Sequence, residues 1–214
     1  MIENERKSVA VIVAHPDDET LWAGGLILLH PSWDWFIVSL CRGEDTERAQ
    51  KFRKALKVLK SGGVMGNLDD GPEQHPVQEE EVEKLLADLL PSKHFDLVIT
   101  HNPDGEYTRH IRHEEISKAV ITLWNSGQID AEVLWTFAYE DGNKRYFPKA
   151  VPAANIIVHL SKKIWFKKFK LIKAIYGFEA DSWEAQTTPK TESFWRFPNS
   201  GSAMAWLQNG GVVV

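Results

Sequence analysis

The stretch "VAVIVA", Val9 to Ala14, is a continuous apolar run that stops abruptly at His15-Pro16-Asp17-Asp18-Glu19. A short run without polar alternation describes a strand buried on both faces, the kind found in parallel sheets covered by helices on each side. Residues 20–30, "TLWAGGLILLH", then read as a buried helix weakened by Gly24 and Gly25. Residues 36–40 read as a second strand, and residues 46–59 as an amphipathic helix ending at Ser61-Gly62-Gly63. The Gly- and Pro-rich residues 62–76 read as loop. Residues 77–90 read as a helix, 95–100 as a third strand, 112–124 as a helix and 133–139 as a fourth strand. Residues 155–160 are a candidate fifth strand. Residues 164–176 read as a basic amphipathic helix, expected to lay its apolar side on the sheet and hold its lysines in water. This alternation predicts an α/β protein built from βαβ units, with a largely parallel sheet and helices on both faces. With 214 residues and no linker or repeat, one domain over 1–214 is expected, its last four residues a frayed tail or a late edge strand.

In open parallel sheets, ligands bind beyond the carboxyl ends of the strands. Reactive residues crowd that edge here. The first strand runs into His15-Pro16-Asp17-Asp18-Glu19 and the second into Cys41-Arg42-Gly43-Glu44-Asp45. The third is followed by His101-Asn102-Pro103-Asp104 and "GEYTRHIRHEE", the fourth by Glu140-Asp141-Gly142.

His15 and Asp18 are close enough along the chain to reach one cation. His110 and His113 stand three apart, so at a helix start both rings lie on one side. Two histidines and a carboxylate are a familiar zinc donor set when a fourth position is left to water. Adjacent carboxylates in an extended loop point apart, so if Asp18 binds metal, Asp17 is free to act as a general base beside it. Taken alone, Asp17, Asp18 and Glu19 would simply cap a helix and complement its dipole. Capping does not require a histidine before the acids, nor a second histidine pair on the same sheet edge. His101 is expected to line the pocket or support a ligand. Glu114 and Glu115 are expected to serve the N-terminal turn of their helix, and His30, His75, His94 and His159 to be structural. Arg42, Tyr107, Glu140 and Trp183 are candidate substrate contacts.

A net charge of −5 carries no general nucleic-acid footprint. The single cysteine, Cys41, excludes an internal disulfide framework and a cysteine zinc knuckle. No apolar run approaches the ~20 residues needed to span a bilayer, and the N-terminus lacks the apolar core of a signal peptide. A soluble, cytoplasmic protein acting on a small molecule is expected, with a homo-oligomer left open.

"AHPDDE", Ala14 to Glu19, directly after the first strand, resembles the signature of the LmbE-like, or PIG-L-like, zinc-dependent de-N-acetylases. "THNPDGEYTRHIRHEEISKAV" resembles their second element, a loop ending in His-x-x-His that opens a helix. The resemblance runs in order and spacing from about Val9 to Val120. It implies a Rossmann-like fold and one zinc per chain, bound by His15, Asp18 and His113. It implies Asp17 as general base on the zinc-bound water, and His110 as the residue that steadies the oxyanion or protonates the departing amine. The implied substrate is an N-acyl, usually N-acetyl, amino sugar such as an N-acetylglucosamine derivative, or a conjugate of one.

Three departures accompany the resemblance. Where the family commonly has His-Pro-Asp-His, this chain reads His110-Ile111-Arg112-His113, so Arg112 replaces an Asp of the kind that orients a histidine. Asp104 is the candidate substitute. The loop between Tyr107 and His110 is one residue longer, and Lys51 stands where a Glu usually precedes Ala55. A zinc amidase acting on a non-sugar or thiol-conjugate amide and a non-catalytic sugar or sugar-nucleotide binder remain open alternatives. A magnesium-diphosphate reading lacks its Gly-rich phosphate loop after the first strand.

Overall fold

The computed structural model describes residues 6–107 and 110–211. The chain runs β1 (Ser8–Val13), α1 (Asp18–Leu29), β2 (Asp34–Cys41), α2 (Thr46–Leu59), β3 (Gly62–Leu68), α3 (Glu79–Leu89), β4 (Leu97–Thr100), α4 (Ile111–Asn125) and β5 (Leu134–Phe137). The short strands β6 (Tyr139–Glu140) and β7 (Lys149–Ala150) follow, then β8 (Ile156–His159), α5 (Lys162–Lys170), a π-helical segment (Leu171–Tyr176), α6 (Trp183–Thr187), β9 (Thr191–Phe197) and α7 (Ser200–Gln208). Seven strands form one sheet in the order β3-β2-β1-β4-β5-β9-β8. The first five are parallel, and β9 runs antiparallel to both β5 and β8.

The unbroken apolar character of β1 has its reason in this arrangement. Val9, Val11 and Val13 enter a core with Leu21, Trp22, Ile27, Phe52 and Leu171 on the face covered by α1, α2 and the π segment. Ala10, Ile12 and Ala14 enter a second core with Leu86, Ile116, Val120 and Ala203 on the face covered by α3, α4 and α7. Each Val, Leu, Ile or Phe side chain removed from water here contributes on the order of 1.5–3 kcal/mol, so both faces of the central strand are held.

Several readings of the sequence need correction. Residues 62–68, read as loop, are strand β3. Its glycines serve close approach: a Cβ on Gly63 would sit 2.6 Å from the Ile37 carbonyl oxygen, and one on Gly66 would sit 2.9 Å from that of Leu40. The run 133–139 divides at Ala138, with β5 in the main sheet and β6 in a separate hairpin with β7. Strands β8 and β9 form an antiparallel extension, of which β9 had no reading at all. The basic helix divides into α5 and the π segment, α5 packs on α1, and Lys168 is not in water. It is wholly buried, with its Nζ 2.6 Å from Glu192 Oε1, while the Glu192 carboxylate also accepts the Gly25 and Leu26 amides at 2.6 and 2.7 Å. Apart from Gly211, the tail lies outside the described residues. Among the described residues no helix is long and apolar enough to cross a membrane.

Candidate metal and catalytic site

The sheet order turns at β1, whose neighbours are β2 on one side and β4 on the other. Successive crossovers leave in opposite directions there and open a crevice beyond the carboxyl ends of β1 and β4. His15 to Asp18 leave the end of β1, His101 directly follows β4, and α4 begins over the same crevice with His110 at its N-cap and His113 in its first turn.

The two consecutive aspartates diverge. Asp18 turns inward: its Oδ2 lies 3.1 Å from His15 Nδ1 and 3.4 Å from His113 Nε2, and its Oδ1 accepts the Trp22 indole N–H at 3.2 Å. Asp17 faces the other way, with Oδ2 3.5 Å from Arg48 Nη1. Its backbone has φ 145°, a conformation that costs a non-glycine residue on the order of 1–3 kcal/mol. Asp17 stands at the N-cap of α1, yet its carboxylate makes no capping hydrogen bond. Glu19 instead reaches back to accept the Asp17 amide at 3.0 Å.

Tautomers decide which histidines have a lone pair to offer. His113 Nδ1 lies 2.6 Å from Glu106 Oε2, an ionised carboxylate that holds its N–H, so when the ring gives up a proton it is Nε2 that is left with the lone pair. That Nε2 is buried and has no hydrogen-bond partner. His101 also meets Glu106, at 3.0 Å through Nδ1, but its Nε2 already accepts the Ala14 amide at 3.0 Å. Its lone pair is used, which makes it a support for the site rather than a ligand. His15 Nε2 faces Asp70 Oδ1 at 3.3 Å, leaving Nδ1 toward Asp18. His15 Nδ1 and His113 Nε2 thus lie 3.1 and 3.4 Å from Asp18 Oδ2, and ring nitrogens of His15, His110 and His113 come within 4.8 Å of one another. A tetrahedral zinc with bonds of ~2.0–2.1 Å needs donors about 3.3 Å apart. The residues fit such an ion, and carboxylates on the far nitrogens of both histidines are the usual outer support of one.

The electrostatics agree with a site built for a cation. Burial pulls the proton affinities of His15 and His113 down, but the surrounding carboxylates outweigh it and raise them to about 9 and about 10. Burial would lift Asp18, yet the two histidines hold it well below the usual carboxylate range. Asp17 is pushed well up by burial and by the charge of Asp18. His110, buried and beside His113 and His15, is held down at about 3, so its imidazole is neutral at ordinary pH.

His15, Asp17, Asp18, Arg42, Tyr107, His110 and Trp183 line one cavity of about 280 Å³. Tyr107 and Trp183 meet edge to face, 4.7 Å between ring centres, and form its aromatic wall. Glu140 is not part of this cavity. It lies in the β6–β7 hairpin and lines a separate cavity of about 250 Å³, because the strand expected to carry it to the sheet edge ends at Phe137.

Sequence reasoning missed Glu106, Asp70 and Arg48. The carboxylate on His113 is Glu106, not Asp104, although "DGEYTRH" holds both and only folding chooses between them. Asp70, which also binds the Arg42 guanidinium at 2.6 Å, was hidden because β3 went unread. Arg112 does not occupy the space beside His110. Its guanidinium binds Glu115 at 2.6 Å, the His75 carbonyl at 2.7 Å, and Asp69, fastening the loop that carries Asp70. Glu115 thus ties that loop to α4, and also accepts the Val77 amide at 2.9 Å, rather than serving the helix's own first turn. His110 Nδ1 is left buried without a hydrogen-bond partner.

Residues 10–124 match the family model described as PIG-L, GlcNAc-PI de-N-acetylase. The chain belongs to the PIG-L family. A deacetylase of 1D-myo-inositol 2-acetamido-2-deoxy-alpha-D-glucopyranoside from Corynebacterium diphtheriae is 29% identical over 153 residues, covering 53% of this chain and 52% of the relative. Among solved structures, the N,N'-diacetylchitobiose deacetylase of Pyrococcus horikoshii superposes with TM-score 0.69 at 16% identity, covering 91% of this chain and 85% of that one. GalB, the 4-carboxy-2-hydroxymuconate hydratase of Pseudomonas putida KT2440, superposes with TM-score 0.61 at 17% identity, covering 90% and 97%. The two solved structures, at identities this low, show a shared fold alone.

Proposed function

We propose that this PIG-L protein is a zinc-dependent hydrolase that removes an N-acyl group, acetyl in the first instance, from an amino sugar or its conjugate. The observation that carries this reading is the placement of His15 Nδ1 and the unpartnered His113 Nε2 around Asp18 Oδ2, next to a cavity lined by His15, Asp17 and Asp18. His15, Asp18 and His113 would hold the ion. Bound there, it would supply Lewis acidity, polarising a carbonyl and acidifying a water.

The chain's own groups divide the remaining work. Asp17, with a carboxylate whose proton affinity is raised, takes a proton from the water that attacks the amide carbon and returns it to the nitrogen as the C–N bond breaks. His110 is neutral and therefore donates an N–H to the oxyanion instead of arriving as an acid. Removing one such donor typically costs ~100- to 1000-fold in rate. Arg42, Tyr107 and Trp183, which line the cavity, contact the sugar. The reading is supported by the family, by the deacetylase relative and by the donor chemistry. A location in the cytoplasm belongs to the same proposal.

The test is zinc content together with acetate release from N-acetylglucosamine, its inositol conjugate and diacetylchitobiose. One zinc per chain with release from at least one substrate is expected. Asp17→Asn should keep zinc and lose turnover, and His113→Ala should lose zinc. A wild-type rate in Asp17→Asn would sink the base assignment. Zinc without release from any substrate would favour a non-catalytic sugar binder.

A further inference from the structure

We infer that Glu19 and Tyr176 form a positioning brace that holds Asp17 in its strained backbone conformation, so that a residue from the C-terminal half of the chain sets the aim of the proposed base. The inference rests on the deacetylase reading for the role of Asp17, though not for the brace itself. The geometry is a short chain of hydrogen bonds. Tyr176, in the π-helical segment, donates its hydroxyl to Glu19 Oε1 at 2.7 Å. The Thr20 hydroxyl donates to the same oxygen. The other oxygen, Oε2, accepts the Asp17 amide at 3.0 Å. Glu19 is fully buried and Tyr176 nearly so.

This arrangement answers a need that helix capping leaves unmet. Asp17 sits at φ 145°, and its carbonyl is already committed to the first turn of α1, accepting the amides of Thr20 at 3.0 Å and Leu21 at 2.8 Å. A non-glycine residue persists there only when its surroundings over-determine it. Glu19 fixes the amide, α1 fixes the carbonyl and Arg48 faces the carboxylate. The peptide plane of Asp17 is thereby set on both sides, and the side chain is directed away from Asp18.

Tyr176 lies beyond the residues matched by the family model, which end at 124. It lies in the segment where the helix gives way to π geometry at Leu171, a distortion found at functional sites in other proteins. Three more bonds grip α1 from the C-terminal half: the Tyr139 hydroxyl donates to the Trp22 carbonyl at 2.9 Å, and Glu192 accepts the Gly25 and Leu26 amides. Those contacts hold α1 in place. The Tyr176–Glu19 pair is the one that reaches Asp17.

The test compares Tyr176→Phe, Glu19→Gln and the double variant in the zinc-loaded protein. The expected result is a kcat lowered roughly tenfold in Tyr176→Phe and more in Glu19→Gln, with KM and zinc affinity within about twofold of wild type, since misplacement of a reacting group is costly in rate. The double variant should fall no further than Glu19→Gln, because both act through one carboxylate. An unchanged kcat in Tyr176→Phe, a loss carried by KM or zinc affinity, or multiplicative losses in the double variant would each overturn the brace. Hydrogen exchange of the Asp17 amide gives a second readout, expected at least about tenfold faster in Glu19→Gln because the buried acceptor is weakened. Unchanged exchange overturns the brace whether or not the enzyme turns over. Faster exchange in a protein whose wild type releases no acetate would refute the deacetylase reading and leave the brace standing.

Discussion

Glu106→Gln should weaken zinc binding by ~10- to 100-fold, or about 1.4–2.7 kcal/mol. Glu106 presents Oε2 to both His113 Nδ1, at 2.6 Å, and His101 Nδ1, at 3.0 Å, while Oε1 accepts the Asn102 amide at 3.0 Å. Burial would raise its proton affinity, but the two histidines hold it at about 2, so it is anionic across the working range. The substitution replaces that anion with a neutral amide at nearly the same volume. His113 Nε2 becomes a poorer donor to a metal, and by the same logic a poorer base for a proton. At pH 7 these effects partly cancel, because His113, raised to about 10 in the metal-free site, must give up a proton before it can ligate. As pH rises from 7 toward 9 the proton competes less, so the deficit of the variant should widen. The assay is competition against a chromophoric chelator at pH 7, 8 and 9. Equal affinities of wild type and variant at pH 9 would refute the assignment of His113 as a ligand supported by Glu106.

Further outcomes follow from other contacts. In the metal-free protein, Glu106 titrates at about 2 against an ordinary 4.5, so it contributes stability that is present above pH 4.5 and lost as pH falls toward 2. The amount is about 3 kcal/mol, and urea melts between pH 5 and 2.5 should lose that pH dependence in Glu106→Gln. Lys168→Met leaves the Glu192 carboxylate buried without its partner and should cost ~3–5 kcal/mol in the same melts, whereas a cost under ~1 kcal/mol would mean that the pair is solvated in solution. Gly25→Ala places a Cβ 2.4 Å from a Leu160 methyl and 2.8 Å from Glu192 Oε1, so the usual helical gain from alanine should be reversed into a loss of ~1–3 kcal/mol. His110→Ala should lower kcat by ~100- to 1000-fold with zinc affinity intact, and a parallel loss of zinc would make His110 a ligand instead.

The sequence by itself determined the parallel sheet, the site at the end of its first strand and the residue types gathered there. These properties are local. A run such as "VAVIVA" has to be buried on both faces, and the carboxyl ends of parallel strands lie on one edge whatever the loops do. The divergence of Asp17 and Asp18 was legible for the same reason, since neighbouring side chains in an extended turn point apart. Tertiary structure alone decided which carboxylate serves which histidine. Glu106 and Asp104 are equally plausible in the linear sequence, but only Glu106 reaches His113 Nδ1, and Arg112, which stands where an orienting Asp would be, turns away to fasten the loop after β3. The glycines of residues 62–66 signal flexibility in isolation and close strand packing in the fold, so both β3 and Asp70 were hidden. The antiparallel pair β8–β9, the buried Lys168 and the reach of Tyr176 to Glu19 depend on contacts between residues tens to more than a hundred positions apart, which local periodicity does not reveal. Hydrophobic pattern records which face is buried, and the partner that satisfies a buried polar group is settled only when the chain closes around it.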